Sequence, residues 1–128
     1  QEDWVPIRYF HQFAPQDELL PYYKAADVAL ITPLVDGMNL VSKEYIATQN
    51  NGILVLSEFA GAASQLNDAL HVNPYHINQV AETLHQALQM SYEQKTKKFA
   101  RLKDNVKKYD INWWRDNFLR KWLSIYGN

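Results

Sequence analysis

The sequence predicts an α/β fold with an open parallel sheet, and two observations support this. Short, continuous apolar runs such as "VALITPL" and "ILVLS" are typical of strands that are covered on both faces. Between these runs lie segments whose apolar residues recur every three or four positions, as on one face of a helix. Because strands and helices alternate, right-handed crossovers are expected, and they produce a parallel sheet with helices on its faces.

The first predicted elements are a strand, a helix and a second strand. Val5 to Phe10 is rich in β-branched and aromatic residues, which favours a strand. The segment "PQDELLPYYKAAD" follows as a helix with acidic residues in its first turn, and Pro21 is expected early, where a helix tolerates proline best. The run "VALITPL" is then the second strand.

The middle of the chain continues the same alternation. Leu40 to Gln49 is predicted as a helix that Asn50, Asn51 and Gly52 end. The run "ILVLS" is a buried strand, and "EFAGAASQL" a loop into a short helix in which Gly61, Ala62 and Ala63 serve packing. A short strand in "ALHVN" and a helix in "NPYHINQVAETLHQALQM" complete this part.

The last third changes character. From Ser91 onward the pattern is helical, with a break near Asp110. The final helix carries Trp113, Trp114 and Trp122, more aromatic surface than one amphipathic face needs, so part of it is expected to pack outside the small sheet. We therefore divide the chain into residues 1–90, an α/β half-domain, and residues 91–128, a set of C-terminal helices.

Composition excludes several functional classes. The 128 residues include 13 basic and 14 acidic side chains and no cysteine. The near-neutral charge argues against a nucleic-acid partner. Without cysteine or a paired-histidine motif, no metal site is expected, and a cytoplasmic location fits. No apolar run approaches the roughly 20 residues that cross a bilayer, and the start "QEDW" is unlike a signal peptide, so no membrane association is expected.

A candidate site lies where "VALITPL" passes through "VDGMN" into the next helix. Ligands of open parallel sheets bind beyond the carboxyl ends of the strands. With Asn39 as N-cap, the backbone N–H groups of Leu40, Val41 and Ser42 would be free to bind a phosphate. This arrangement is also ordinary turn chemistry, so spacing alone leaves a purely structural interpretation open.

The side chains around this turn suit a sugar nucleotide. Gly37 would let the backbone approach a ligand closely or adopt a positive φ. Glu44 lies about 6 Å along the helix axis from Leu40, which would place a carboxylate beside a ribose when a diphosphate binds the helix tip. Asp36 and Asn39 could bind sugar hydroxyls at the other end.

The longest motifs resemble one family closely. "TPLVDGMNLVSKEYIATQ", with "GILVLSEFAGAASQL" and "VNPY", is similar to the trehalose-6-phosphate synthases, the retaining glycosyltransferases of family 20. An aspartate and a glutamate eight positions apart bracket the donor in that family, and Asp36 and Glu44 have this spacing. The resemblance extends from "YFHQF" to "DINWWRDNFL".

The resemblance implies a role for each matching residue. Asp36, the catalytic candidate, would bind glucose hydroxyls, Leu40 and Val41 would hold the diphosphate through their main-chain N–H groups, and Glu44 would bind the ribose. Phe13 resembles an aromatic that packs near the nucleobase. The implied donor-binding set is Phe13, Asp36, Gly37, Met38, Asn39, Leu40, Val41 and Glu44.

The resemblance also implies a GT-B fold, in which two Rossmann-like domains face a cleft. The chain matches the later part of the second domain, which implies that residues 1–90 form a nucleotide-sugar-binding, Rossmann-like half-domain. The first domain, which would bind the sugar-phosphate acceptor, and an arginine and a lysine that neutralise the donor phosphates fall outside the match. The final helix resembles one that crosses back onto the first domain. An assembly of the intact enzyme into a homo-oligomer is left open.

The implied reaction transfers glucose, with retention, from UDP-glucose or another nucleotide diphosphate-glucose to glucose 6-phosphate. The resemblance implies no cofactor or metal. It also implies that no protein nucleophile is needed, since the departing phosphate itself helps to deprotonate the acceptor. Val35 stands where the family usually has arginine, which leaves glycerol 3-phosphate open as an alternative acceptor. A non-catalytic sugar-nucleotide-binding module is a third interpretation. The 128 residues alone are expected to be inactive.

Overall fold

The computed structural model describes residues 4–127, and these form a three-stranded parallel sheet. The strands are β1 (Val28–Ile31), β2 (Ile53–Ser57) and β3 (Leu70–Val72), in the order β1-β2-β3. Both strand pairings are sequential and parallel, and Val55 of β2 lies opposite Leu30 of β1 and Leu70 of β3. The predicted open parallel α/β sheet is therefore confirmed.

Residues 4–127 contain five α-helices. They are α1 (Gln16–Ala25), α2 (Leu40–Thr48), α3 (Ile77–Gln89), α4 (Tyr92–Lys108) and α5 (Ile111–Tyr126). A short 3₁₀ turn, Gly61–Ser64, follows β2. Within residues 4–127, no helix combines the length and the apolar character that crossing a membrane requires.

The core has two layers because β2 is buried on both faces. Leu54 and Leu56 pack on one side in a cluster with residues of α2 and α4. Ile53 and Val55 point to the other side, where Ala87 of α3 belongs to the second cluster. This alternation explains why β2 is continuously apolar in sequence: each successive side chain meets a different layer of helices.

The predicted strand from Val5 to Phe10 is wrong. Residues 4–15 have no regular secondary structure, and Ile7 and Tyr9 are about four-fifths exposed, at 77% and 81%. A β-branched and aromatic pattern indicates side chains that fit a pleated surface. Such a segment forms a strand only where a neighbouring strand pairs with it. Among the described residues, nothing pairs with this segment.

Two expectations about helices α1 and α2 also need correction. Helix α2 ends at Thr48, and Gln49 continues in an extended conformation, so no left-handed residue at Asn50, Asn51 or Gly52 terminates it. The Gln49 side chain instead accepts from the backbone N–H of Asn50 at 2.7 Å. Pro21 is the sixth residue of α1 rather than an early one, so its missing N–H removes one bond from the helix interior.

The C-terminal helices differ in how they pack. Helix α4 begins with a capping box between Ser91 and Gln94, and it buries Phe99 and Leu102 in the core. Helix α5 begins where the break was predicted, with the Asp110 carboxylate accepting from the Trp113 N–H at 2.8 Å. It buries none of its residues. The division at residue 90 remains a prediction, although α4 clearly shares the core of the preceding sheet.

Candidate functional site

The loop between β1 and α2 is fixed to the loop that follows β2. The Asp36 N–H donates to the Phe59 carbonyl at 3.3 Å, and the Gly61 N–H donates to the Asp36 carbonyl at 2.9 Å. The Ala62 N–H donates to the Met38 carbonyl at 2.7 Å. Both loops leave the carboxyl ends of neighbouring parallel strands, where ligands bind in open α/β sheets. The loop is therefore held in place by backbone bonds before any ligand arrives.

The Asp36 carboxylate is organised by its own loop. Its Oδ1 accepts from the Met38 N–H and its Oδ2 from the Asn39 side-chain amide, each at 3.0 Å. These two bonds, the Met38 N–H first and the Asn39 amide second, lower the pKa of Asp36 below its usual range. At neutral pH the carboxylate is ionised, and its remaining lone pairs can accept from ligand hydroxyls.

Asn39 is the N-cap of α2, as predicted. Its side-chain oxygen accepts from the Ser42 N–H at 2.9 Å, and its carbonyl accepts from the Ser42 hydroxyl at 2.7 Å. The expectation that the Ser42 N–H is free is therefore wrong, because the cap itself uses it. Leu40 and Val41, the first two helical residues, keep N–H groups with no partner among the described residues. Together with the helix dipole, these two groups suit a phosphate oxygen.

Gly37 and Gly61, the two glycines of the site, have different roles. The left-handed residue of this loop is Asn39, with φ 74°, so of the two alternatives for Gly37, close approach to a ligand or a positive φ, the positive φ does not apply. A Cβ on Gly37 would have nothing within 4 Å. A Cβ on Gly61, in contrast, would lie 2.1 Å from the Gly37 carbonyl oxygen. The close backbone approach therefore requires glycine at Gly61, in agreement with the packing role expected for it.

Glu44 and Phe13 lie apart from the organised loop. Glu44 is half-buried in α2, with no hydrogen-bond partner among the described residues, and its charge adds to the effect of burial in raising the pKa of Tyr23 in α1. Its carboxylate therefore makes no hydrogen bond within residues 4–127 and can accept from a ligand. Phe13 is 91% exposed in the irregular segment, and it takes part in none of the aromatic pairs found in residues 4–127. The structure brings together Asp36 to Val41, whereas it does not join Phe13 to them.

Lys43 is a site-adjacent residue that the sequence analysis missed. Its ammonium donates to Gln65 Oε1 at 2.7 Å and to the Tyr109 carbonyl at 3.2 Å, and burial lowers its pKa. It lines a groove of about 330 Å³ between the first turn of α2 and the start of α5, together with Met38 and Trp113. A lysine so close to a helix N-terminus opposes the helix dipole. This unfavourable placement is the feature of the sequence that could have identified Lys43.

The described residues contain no group of three or more metal-ligating side chains close enough to hold an ion. The expectation that neither metal nor cofactor takes part stays a prediction.

Comparison with known proteins relates the chain to one protein family. The model of glycosyltransferase family 20 matches residues 1–123. A trehalose-6-phosphate synthase from Citrobacter koseri is 45% identical over 123 residues, which are 94% of this chain and 26% of that protein. The chain therefore spans about a quarter of the length of the curated relatives it matches.

Solved structures agree with the sequence match. A UDP-forming α,α-trehalose-phosphate synthase from Burkholderia xenovorans, in complex with glucose-6-phosphate, has a TM-score of 0.88 and 42% identity, covering 94% of this chain and 28% of that one. A structure from Escherichia coli bound with UDP-2-fluoro glucose has a TM-score of 0.87 and 45% identity, with the same coverage of 94% and 28%. The fold is thus that of part of a GT-B glycosyltransferase.

Proposed function

Because the chain belongs to glycosyltransferase family 20, we propose that it supplies donor-binding elements of an enzyme that makes α,α-trehalose 6-phosphate. The enzyme transfers glucose from UDP-glucose to glucose 6-phosphate with retention. The observation that carries the proposal is the loop in which an ionised Asp36 stands beside the unpaired N–H groups of Leu40 and Val41. A nucleotide-sugar donor needs both kinds of group side by side, because its diphosphate accepts from N–H groups and its sugar hydroxyls donate to a carboxylate.

The diphosphate end of the donor is assigned to the start of α2. The N–H groups of Leu40 and Val41 bind the phosphate oxygens, and the helix dipole adds a partial positive charge. As the glycosidic bond breaks, negative charge grows on the leaving diphosphate. Donors that are already oriented stabilise this charge without the cost of reorganising solvent. The site therefore contributes to rate as well as to binding, and it requires no cofactor or metal.

The sugar and ribose ends are assigned to the two carboxylates. Asp36 accepts from glucose hydroxyls, and the backbone of Gly37 and Met38 and the amide of Asn39 line the same sugar. Glu44 accepts from the ribose hydroxyls, for which its unpaired, half-buried carboxylate is suited. Phe13 packs near the nucleobase in the intact enzyme. The departing phosphate assists removal of the acceptor proton, so no protein nucleophile is needed.

Relatives support the choice of substrates. The structures from E. coli and B. xenovorans contain UDP-2-fluoro glucose and glucose-6-phosphate, respectively. A glycerol 3-phosphate acceptor is not favoured, since the curated relatives are trehalose-6-phosphate synthases. We assign acceptor binding to the part of the enzyme that this chain does not cover, and the enzyme to the cytoplasm.

The test is a calorimetric titration of the 128-residue chain with UDP-glucose and with GDP-glucose. We expect weak binding that favours UDP-glucose and that falls about tenfold or more in Glu44→Ala, since a hydrogen bond to a charged group contributes about 1.5–3 kcal/mol. Glu82→Ala, which removes an exposed glutamate of α3, is the matched control and should bind like the parent chain. UDP-glucose binding that Glu44→Ala leaves unchanged would contradict the assignment of the ribose site.

Transfer itself requires more of the enzyme than this chain. We predict no trehalose 6-phosphate formation when the chain is incubated with UDP-glucose and glucose 6-phosphate, because the acceptor site lies elsewhere. Chromatographic detection of the product provides the measurement. Turnover by the purified chain would show that the acceptor site has been wrongly assigned.

A further inference from the structure

Helix α5 is attached to the rest of the molecule at very few points. None of its residues is buried. Among the hydrogen bonds of residues 4–127, a single one joins residues 109–127 to the chain before α4, and it runs from Lys43 Nζ to the Tyr109 carbonyl. The direction in which α5 leaves the body therefore depends on this contact and on the groove beside it.

The acceptor of this bond lies at the vertex between two helices. Tyr109 is the C-cap of α4, and its carbonyl belongs to the end of a helix where carbonyls lack intrahelical partners. The ring of Tyr109 packs edge-on against Trp113, with centroids 4.8 Å apart, and Asp110 caps α5. A cation at this carbonyl is also favoured by the negative end of the α4 dipole. Any movement of the vertex would move the start of α5 with it.

The Lys43 ammonium, which donates this bond, lies where burial disfavours its charged form. Lys43 is half-buried in the fourth position of α2, and none of the ion pairs found in residues 4–127 includes it. Its two partners, Gln65 and the Tyr109 carbonyl, are neutral. A half-buried cation without a carboxylate partner is stabilised when its N–H groups are hydrogen-bonded, so these two bonds fix the position of the ammonium.

We propose that Lys43 is a positioning residue that sets the angle between α5 and the donor-site helix α2. It links the turn that carries the Leu40 and Val41 N–H groups to the vertex from which α5 departs. The aromatic face of α5 is thereby presented at a defined orientation to the proposed donor site. The significance for catalysis rests on the proposed function, whereas the geometric claim does not require any ligand.

The test uses distances between spin labels, since the chain has no native cysteine to interfere. Labels are attached through Glu82→Cys in α3 and Lys121→Cys in α5, both exposed positions, and their separation is measured by pulsed electron resonance. With Lys43 present, we expect one narrow distance distribution. Lys43→Met keeps the aliphatic chain but removes the donors, and we expect the distribution to become at least twice as wide. Lys43→Gln, which keeps a polar group but does not reach Tyr109, should have the same effect.

Two controls separate positioning from a general loss of structure. A second label pair, Glu82→Cys with Asp104→Cys in α4, reports on the body and should keep its narrow distribution in Lys43→Met. Lys97→Met removes an exposed lysine of α4 that pairs with Glu93, and it should leave both distributions unchanged. The proposal is overturned if Lys43→Met leaves the α3–α5 distance narrow, or if it broadens the body distance equally.

Discussion

At the scale of single residues, the site depends on polar groups that satisfy one another before a ligand binds. Asp36 accepts from Met38 and Asn39, and Asn39 in turn accepts from Ser42. Such a chain of bonds fixes side-chain directions in advance, so that less conformational freedom is lost on binding. The hydrogen bonds that organise this loop can therefore be measured without a nucleotide-sugar donor.

The titration of Asp36 provides one such test. Its folded pKa is lowered, so the carboxylate stabilises the loop above the usual aspartate pKa of about 3.9, and this stabilisation is lost as the pH falls through the lower folded value. We expect a carbon-detected NMR titration to give Asp36 a pKa below the usual aspartate value of about 3.9. In Asn39→Ala the pKa of Asp36 should rise but stay below that usual value, because the Met38 N–H is the larger cause. A pKa of Asp36 at or above the usual value in the parent chain would contradict this arrangement.

The glycine pair provides a second test. Gly61→Ala should lower the free energy of unfolding by about 1–3 kcal/mol, since its Cβ would overlap the Gly37 carbonyl and force the two loops apart. Gly37→Ala should change it by less than about 0.5 kcal/mol, because space is open there and φ is not positive. Urea denaturation measures both. Equal effects of the two substitutions would show that the loops adjust freely to each other.

At the scale of elements, the sequence predicted those whose partners lie within the chain. Strands β1 to β3 and helices α1 to α4 were anticipated because each apolar pattern has a covering layer nearby. Helix α5 was anticipated from its helical spacing alone, since none of its residues is buried. Val5 to Phe10 failed for the opposite reason: its pattern is strand-like, but no described strand pairs with it. In the site, the cap at Asn39 follows from local chemistry, and the packing role of Gly61 follows from its run of small residues. The role of Lys43 depends on contacts with Gln65 and Tyr109, which are distant in sequence and could not be identified from spacing.

Gln49 illustrates such a distant contact between elements. Its buried amide donates to the carbonyls of Tyr23, Lys24 and Ala26 at the end of α1, at 3.0, 3.2 and 2.7 Å. We expect Gln49→Ala to lower the free energy of unfolding by about 2–3 kcal/mol, because the Tyr23 and Lys24 carbonyls would lose their side-chain partner. The Ala26 carbonyl keeps the Tyr45 hydroxyl at 3.1 Å. The exposed Gln86→Ala in α3 should change it by less than about 0.5 kcal/mol. An equally small effect at Gln49 would mean that solvent replaces these bonds at no cost.

At the scale of the whole molecule, packing is concentrated away from the C-terminus. The buried apolar residues all lie between Tyr45 and Leu102. Helix α5 instead exposes a run of large apolar side chains, among them Trp114, Phe118, Leu119 and Trp122. Patches of this kind mark interaction surfaces in soluble domains. The surplus of aromatic residues noted in the sequence thus corresponds to surface that the described residues do not cover.

A truncation follows from this division. A chain ending at Asp110 keeps every core residue and the Lys43 contact with Tyr109, so its thermal midpoint should lie within about 5 °C of the parent value. It should also bind much less of an apolar dye such as anilinonaphthalene sulfonate, since the exposed face of α5 is gone. A chain ending at Met90 loses Phe99 and Leu102 as well, and it should no longer unfold cooperatively, because two large side chains are removed from the main core cluster. If ending the chain at Asp110 already abolished cooperative unfolding, α5 would have to stabilise the body through contacts that its exposed side chains do not provide.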